Sequence, residues 1–96
     1  MDGVWLFNGD GGGSFPAAVF TTRAAAEEWI AGHRLTGCLT KYPLDIGVYE
    51  WAIERGTFKP KHEYQTEPKF IGRFSCASME HDHYEDGQCV TDDPES

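Results

Sequence analysis

The chain has 96 residues, a formal net charge of −8 at pH 7, three tryptophans and three cysteines. A chain of that length holds one core and no second domain, because it buries only about 60–65% of the surface its unfolded form exposes. Its acidity disfavours recognition of nucleic-acid phosphates, and no apolar run approaches the roughly 18 residues of a membrane span. The odd set Cys38, Cys76 and Cys89, without C-x-x-C spacing, fits neither a disulfide framework nor a zinc ribbon and points to a reducing, cytoplasmic setting.

Taken in chain order, Val4–Phe7 reads as a buried strand, and Asn8-Gly9 opens a glycine-rich turn reaching Ser14. That turn lacks the G-K-[ST] ending of a phosphate loop and leads to Phe15-Pro16 and a second short strand, Ala17–Phe20, so a hairpin is expected. Thr21 or Thr22 then caps a helix over 23–33. Ala26, Trp29, Ile30 and His33 share one apolar face of it, which predicts a partly buried His33.

Leu35–Tyr42 reads as a third strand that Pro43 ends. Asp45 is placed to cap a second helix over 45–55, with Gly56 at its left-handed stop. On a helical wheel Ile46, Tyr49, Ala52 and Ile53 form one face, while Trp51 falls outside it near Glu54 and Arg55. Trp51 is therefore either a surface anchor or covered by the polar loop 57–69. Phe70–Ala77 and His81–Tyr84 supply further strands, and residues 88–96 are expected to be a disordered acidic tail after a domain of residues 1–87. The predicted class is α+β, a mixed or antiparallel sheet with both helices on one face.

Glu80, Asp82, Glu85, Asp86, Asp92, Asp93 and Glu95 have no Lys or Arg among them, so residues 80–96 carry seven of the 16 acids and the rest of the chain is nearly neutral. His81 and His83 project to one side of a strand, where Cys76, Glu80, Glu85 or Cys89 could complete a metal shell. Ligand spacing from several elements is missing, so no metal or other cofactor is assigned. No catalytic residue is assigned either: none of the cysteines has a base placed beside it, and Glu50 and Glu54, one helical turn apart, read as a solvated face.

The runs Gly3-Val4-Trp5-Leu6-Phe7-Asn8-Gly9, Phe15-Pro16 to Ile30, "LTGCLTKYPLDIGVYEWAIERGTFKPK" at 35–61 and "FIGRFSCASMEHDHYEDG" at 70–87 together resemble an uncharacterised family of small bacterial domains. The resemblance spans about residues 3–87, with 35–61 its most specific block, and it carries over no activity and no site residues. The stretch "VFTTRAAAEEWI" is also similar in style to strand-then-helix segments of some bacterial immunity proteins.

From these features a non-enzymatic protein-binding domain is expected, an immunity-type inhibitor of a basic-surfaced protein such as a toxin. Its contacts would be Trp51, Glu50, Glu54, Asp82, Glu85 and Asp86, with aromatic area anchoring and carboxylates steering. The expected state is a monomer or homodimer, without nucleic acid or membrane. The alternative is a metal- or small-molecule-binding domain centred on His81 and His83.

Overall fold

A computed structural model describes residues 3–11 and 15–91. Five strands form one antiparallel sheet: β1 (Gly3–Gly9), β2 (Ala18–Phe20), β3 (Gly37–Pro43), β4 (His81–Glu85) and β5 (Gln88–Cys89), in the order β2-β1-β3-β4-β5. Helix α1 (Arg23–His33) follows β2, α2 (Val48–Arg55) follows β3, and a 3₁₀ turn (Glu63–Thr66) leads into a single helical turn, α3 (Pro68–Ile71). The expected α+β class with an antiparallel sheet is what forms. Gly12, Gly13 and Ser14 of the glycine-rich turn, and residues 92–96, lie outside the described residues.

Strand alternation sets the core. β1 pairs with β3 along its whole length, Trp5 opposite Lys41 and Phe7 opposite Leu39, so Trp5, Phe7 and Leu39 share a face. Helix α1 covers that face with Ala26 and Ile30, and Tyr84, Phe20, Trp29 and Leu35 close the cluster. The Trp29 ring meets Phe7 edge-on at 5.7 Å. The opposite face carries Leu6, Cys38, Thr40 and His83, none of them buried.

Thr22 caps α1, its Oγ1 accepting from the Ala25 N–H at 3.1 Å. The helix stops at Arg34 in the left-handed conformation, and the Leu35 N–H returns to the Ile30 carbonyl. That closing turn takes Leu35 out of the predicted third strand and into the core, so β3 starts at Gly37. Gly37 must be glycine: a Cβ there would strike the Asn8 carbonyl oxygen and the Phe7 ring.

Three expectations about the second half are corrected. Asp45 does not cap α2; it sits at φ 59°, and the helix starts after Gly47, which has no side-chain cap bond. Phe70–Ala77 is not a strand, because Pro68 at the first helical position starts α3 and the rings of Phe70 and Phe74 turn onto Tyr49. The domain does not end at Gly87. Asp86 and Gly87 both have positive φ, the requirement of a two-residue type I′ turn, and the chain returns as β5 with Gln88 opposite Glu85.

The expectation of two helices on one face holds for α1. Helix α2 abuts β3, but its buried residues Tyr49 and Ala52 stand outside the α1–sheet cluster. Tyr49 instead centres an annex with Phe58, Phe70 and Phe74, whose ring centroids lie 5.6–6.3 Å from its own, and its hydroxyl donates to the Gln65 carbonyl at 2.8 Å.

Candidate functional site

Strands β3 and β4 run antiparallel, so the two ends of the sheet differ in what they present. At one end Thr36 joins two turns, through its backbone and its side chain: the Asp10 N–H donates to the Thr36 carbonyl at 2.9 Å, and the Asp86 N–H to Thr36 Oγ1 at 3.1 Å. The Gly87 N–H donates to the Leu35 carbonyl at 2.8 Å. These bonds bring Asp10 beside the β4–β5 hairpin and leave a shallow cleft of about 390 Å³, lined among others by Asn8, Asp10, Cys38, His83, Glu85 and Val90. Among the described residues no Lys or Arg lines it. Two carboxylates at its rim, with Asp86 exposed on the adjoining turn, suit a cationic group, the Val90 side chain giving apolar contact.

The expected binding residues divide between the two ends. Glu85 and Asp86 belong to this cleft end. Glu50, Trp51 and Glu54 lie on α2, beyond the Pro43 end, separated from the cleft by the length of β3, about 20 Å for seven residues. Asp82 joins neither group. It faces the α1 side opposite Leu39, its side chain is 14% exposed, and it is ion-paired with Arg23. A carboxylate already neutralised in a partly buried pair is costly to strip from its partner, so Asp82 serves the fold.

Arg23 is the hub of that pairing. It meets Glu27 at 3.3 Å and Glu80 at 3.5 Å as well as Asp82, and its guanidinium lies 5.5 Å from the Trp5 ring centre. Burial opposes its charge, but Asp82 and Glu27 more than offset this and raise its pKa. The Tyr84 hydroxyl donates to Glu27 Oε2 at 2.8 Å. Burial first, and then that carboxylate, push the Tyr84 phenol well above its ordinary range. Among the described residues every ion pair runs through Arg23.

Trp51 is half-buried, and loop 57–69 packs on Tyr49 of the same helix. Its ring carries the Arg55 guanidinium at 4.9 Å and lines a small pocket with Gly3, Lys41, Tyr42 and Glu80. Glu50 is exposed and folds back toward Gly47 at the start of α2, where the helix dipole favours a negative charge. Glu54 is exposed on the same helix.

His81 and His83 do come together, their ring centroids 5.6 Å apart, and His81 Nδ1 lies 2.8 Å from the Met79 carbonyl. Among the described residues no three His, Cys, Asp or Glu side chains converge to hold a metal ion. Cys76 stands apart, against Ser78 and Thr57; hydrogen bonds from the Ser78 side chain and backbone lower its thiol pKa. His33 is exposed, not partly buried, with its ring 5.7 Å from Trp29. A further concavity, about 590 Å³, is an open groove of the annex beside Tyr64, Phe70 and Arg73.

Asp10 was missed as a site residue because only tertiary bonds through Thr36 bring it to the hairpin. The Asp86-Gly87 pair is a standard sequence signal for a hairpin and would have placed β5. Among the described residues no helix is long and apolar enough to cross a membrane.

A family model described as "Domain of unknown function (DUF7710)" matches residues 4–90, and the chain belongs to that family. No curated protein and no solved structure matches it.

Proposed function

We propose that this DUF7710 domain works without catalysis, by binding a protein that presents a basic surface, in the manner of an immunity-type inhibitor that occludes a bacterial toxin in the cytoplasm. The observation that carries the reading is the cleft at the Thr36 end, where Asp10 and Glu85 stand at the rim with no Lys or Arg among the described residues of the lining. Exposed carboxylates attract a cationic partner over roughly 10 Å at 0.1 M salt and speed encounter more than they hold the complex. A Lys or Arg side chain entering the cleft gains those charges and lays its aliphatic stem on Val90.

The test is affinity capture from extract of the native host with the unaltered protein and with Asp10→Lys/Glu85→Lys/Asp86→Lys, captured proteins being identified by mass spectrometry. A basic protein retained by the first and lost by the second, with association slowed at low salt, is expected. The same set of proteins on both would move the binding surface elsewhere.

A second reading, metal or small-molecule binding centred on His81 and His83, is favoured by one observation. The Met79 carbonyl fits a proton on His81 Nδ1, which leaves Nε2 free to ligate, with the His83 ring centroid 5.6 Å from that of His81. Equimolar zinc retained after dialysis, and lost with His83→Gln, would support it.

A further inference from the structure

In an acidic protein the informative cations are those no carboxylate has taken. Arg23 is committed to Asp82, Glu27 and Glu80. Lys41 and Arg55 are different: among the described residues neither makes an ion pair, and each is held instead on the face of an indole ring. Lys41 Nζ lies 5.9 Å from the Trp5 ring centre and the Arg55 guanidinium 4.9 Å from that of Trp51. A ring quadrupole fixes the position of a cation without neutralising its charge.

Both cations line the same pocket. It has a volume of about 170 Å³ and is bounded by Gly3, Lys41, Tyr42, Trp51, Arg55 and Glu80, together with Pro43 and Ser78. The strand β3 supplies Lys41 on the α1-facing side of the sheet, and the last turn of α2 supplies Arg55, one helical turn after Trp51. Among the described residues the single carboxylate in the lining, Glu80, already meets Arg23 at 3.5 Å. Two cations against one shared carboxylate leave the pocket positive within a chain of net charge −8.

We infer that this pocket between β3 and α2, lined by Trp51, is a binding site for a small oxyanion, a carboxylate or a phosphate, held between Lys41 and Arg55. A guanidinium offers a planar fork of donors and an ammonium a point charge, a combination suited to either group. The volume admits one such group and its first substituent and excludes a large ligand. This site is independent of the acidic cleft, from which β3 separates it, and it gives the off-face position of Trp51 a use of the opposite charge to the one expected from Glu50 and Glu54.

The experiment is a titration of isotopically labelled protein by NMR, following the Trp51 indole and Arg55 side-chain signals at constant ionic strength. Inorganic phosphate, acetate and chloride are the three probes. Saturable shifts at Trp51 and Arg55 with phosphate or with acetate, at a midpoint of about 1 mM or below, are expected, and which of the two saturates tells a phosphate site from a carboxylate site. Arg55→Gln and Lys41→Gln should each weaken that binding at least ten-fold. Arg55 is exposed at a helix end, so Arg55→Gln keeps the test sound even if Lys41→Gln disturbs Trp5. Shifts no larger than those with chloride, or saturable shifts that both variants leave unchanged, would overturn the assignment. Neither result bears on capture of a basic protein at the far end of the sheet.

Discussion

Leu39 and Tyr49 are both buried, ten residues apart, but what buries them differs in kind. Leu39 is held by strands on both sides, opposite Phe7 on β1 and Asp82 on β4, and is roofed by Ile30 of α1. Tyr49 is held by rings from a loop and a one-turn helix, with the Phe58 and Phe74 centroids 4.6 Å apart beside it. The first environment is tied into a ladder of backbone bonds that form together; the second rests on side-chain contacts between short turns. Cooperative units of the second kind open at lower free energy than the global transition. The sheet half is therefore expected to open only with the whole molecule, and the annex to open on its own.

The largest effect that would break this contrast is in the sheet. Phe7→Ala should cost about 3–5 kcal/mol and unfold the molecule as a whole, since the ring is almost fully buried at the centre of the cluster. Chemical denaturation giving a loss below about 1 kcal/mol would show that the α1–sheet core is not the stability centre.

Phe74→Ala should lose about 2–4 kcal/mol of annex packing, yet hydrogen exchange should rise in residues 48–74 while β1 and β3 stay protected. Uniform loss of protection would mean that the two regions are one cooperative unit.

A pH series sharpens the sheet side. The folded pKa of Tyr84 is raised, so its contribution is complete below the ordinary phenol value of about 10 and is lost as pH rises above it. Thermal stability should fall on the alkaline side, and Tyr84→Phe should flatten that fall. An unchanged slope would assign it to other groups.

The smallest expected effect is Thr22→Ala, which removes the cap of α1 for about 1 kcal/mol. Both unfolding and β1 protection should register it, because α1 belongs to the sheet region.

The same contrast explains what could be read from the residues in advance. Helix α1 was legible because eleven residues suffice to show a 3.6-residue period, and Ala26 and Ile30 fall where it puts them. On α2 the same geometry held only in part: Tyr49 and Ala52 are buried as it puts them, but Ile46 precedes the helix and Ile53 is exposed while Trp51 is half-buried. The annex was not legible, since a four-residue helix is too short to show a period and Phe70 to Phe74 mimic a β-rich run. At the candidate site Glu85 and Asp86 came from local charge density. Asp10 came from a turn far away in the chain, which only the Thr36 bonds bring to the hairpin.

Strand β1 lies between β2 and β3, although it is the first strand in the chain. On the ribosome it emerges first, finds β2 through a nearby turn, and then waits for β3 to leave the exit tunnel. At roughly 5–20 residues per second that interval lasts about one to five seconds. Throughout it Trp5, Leu6 and Phe7 stand on a strand with one bare side, which makes the nascent chain more open to wrong pairing than the finished protein. Slowing translation while β2 has left the exit tunnel and β3 has not should therefore lower the soluble yield, whereas a pause placed after β3 has emerged should not.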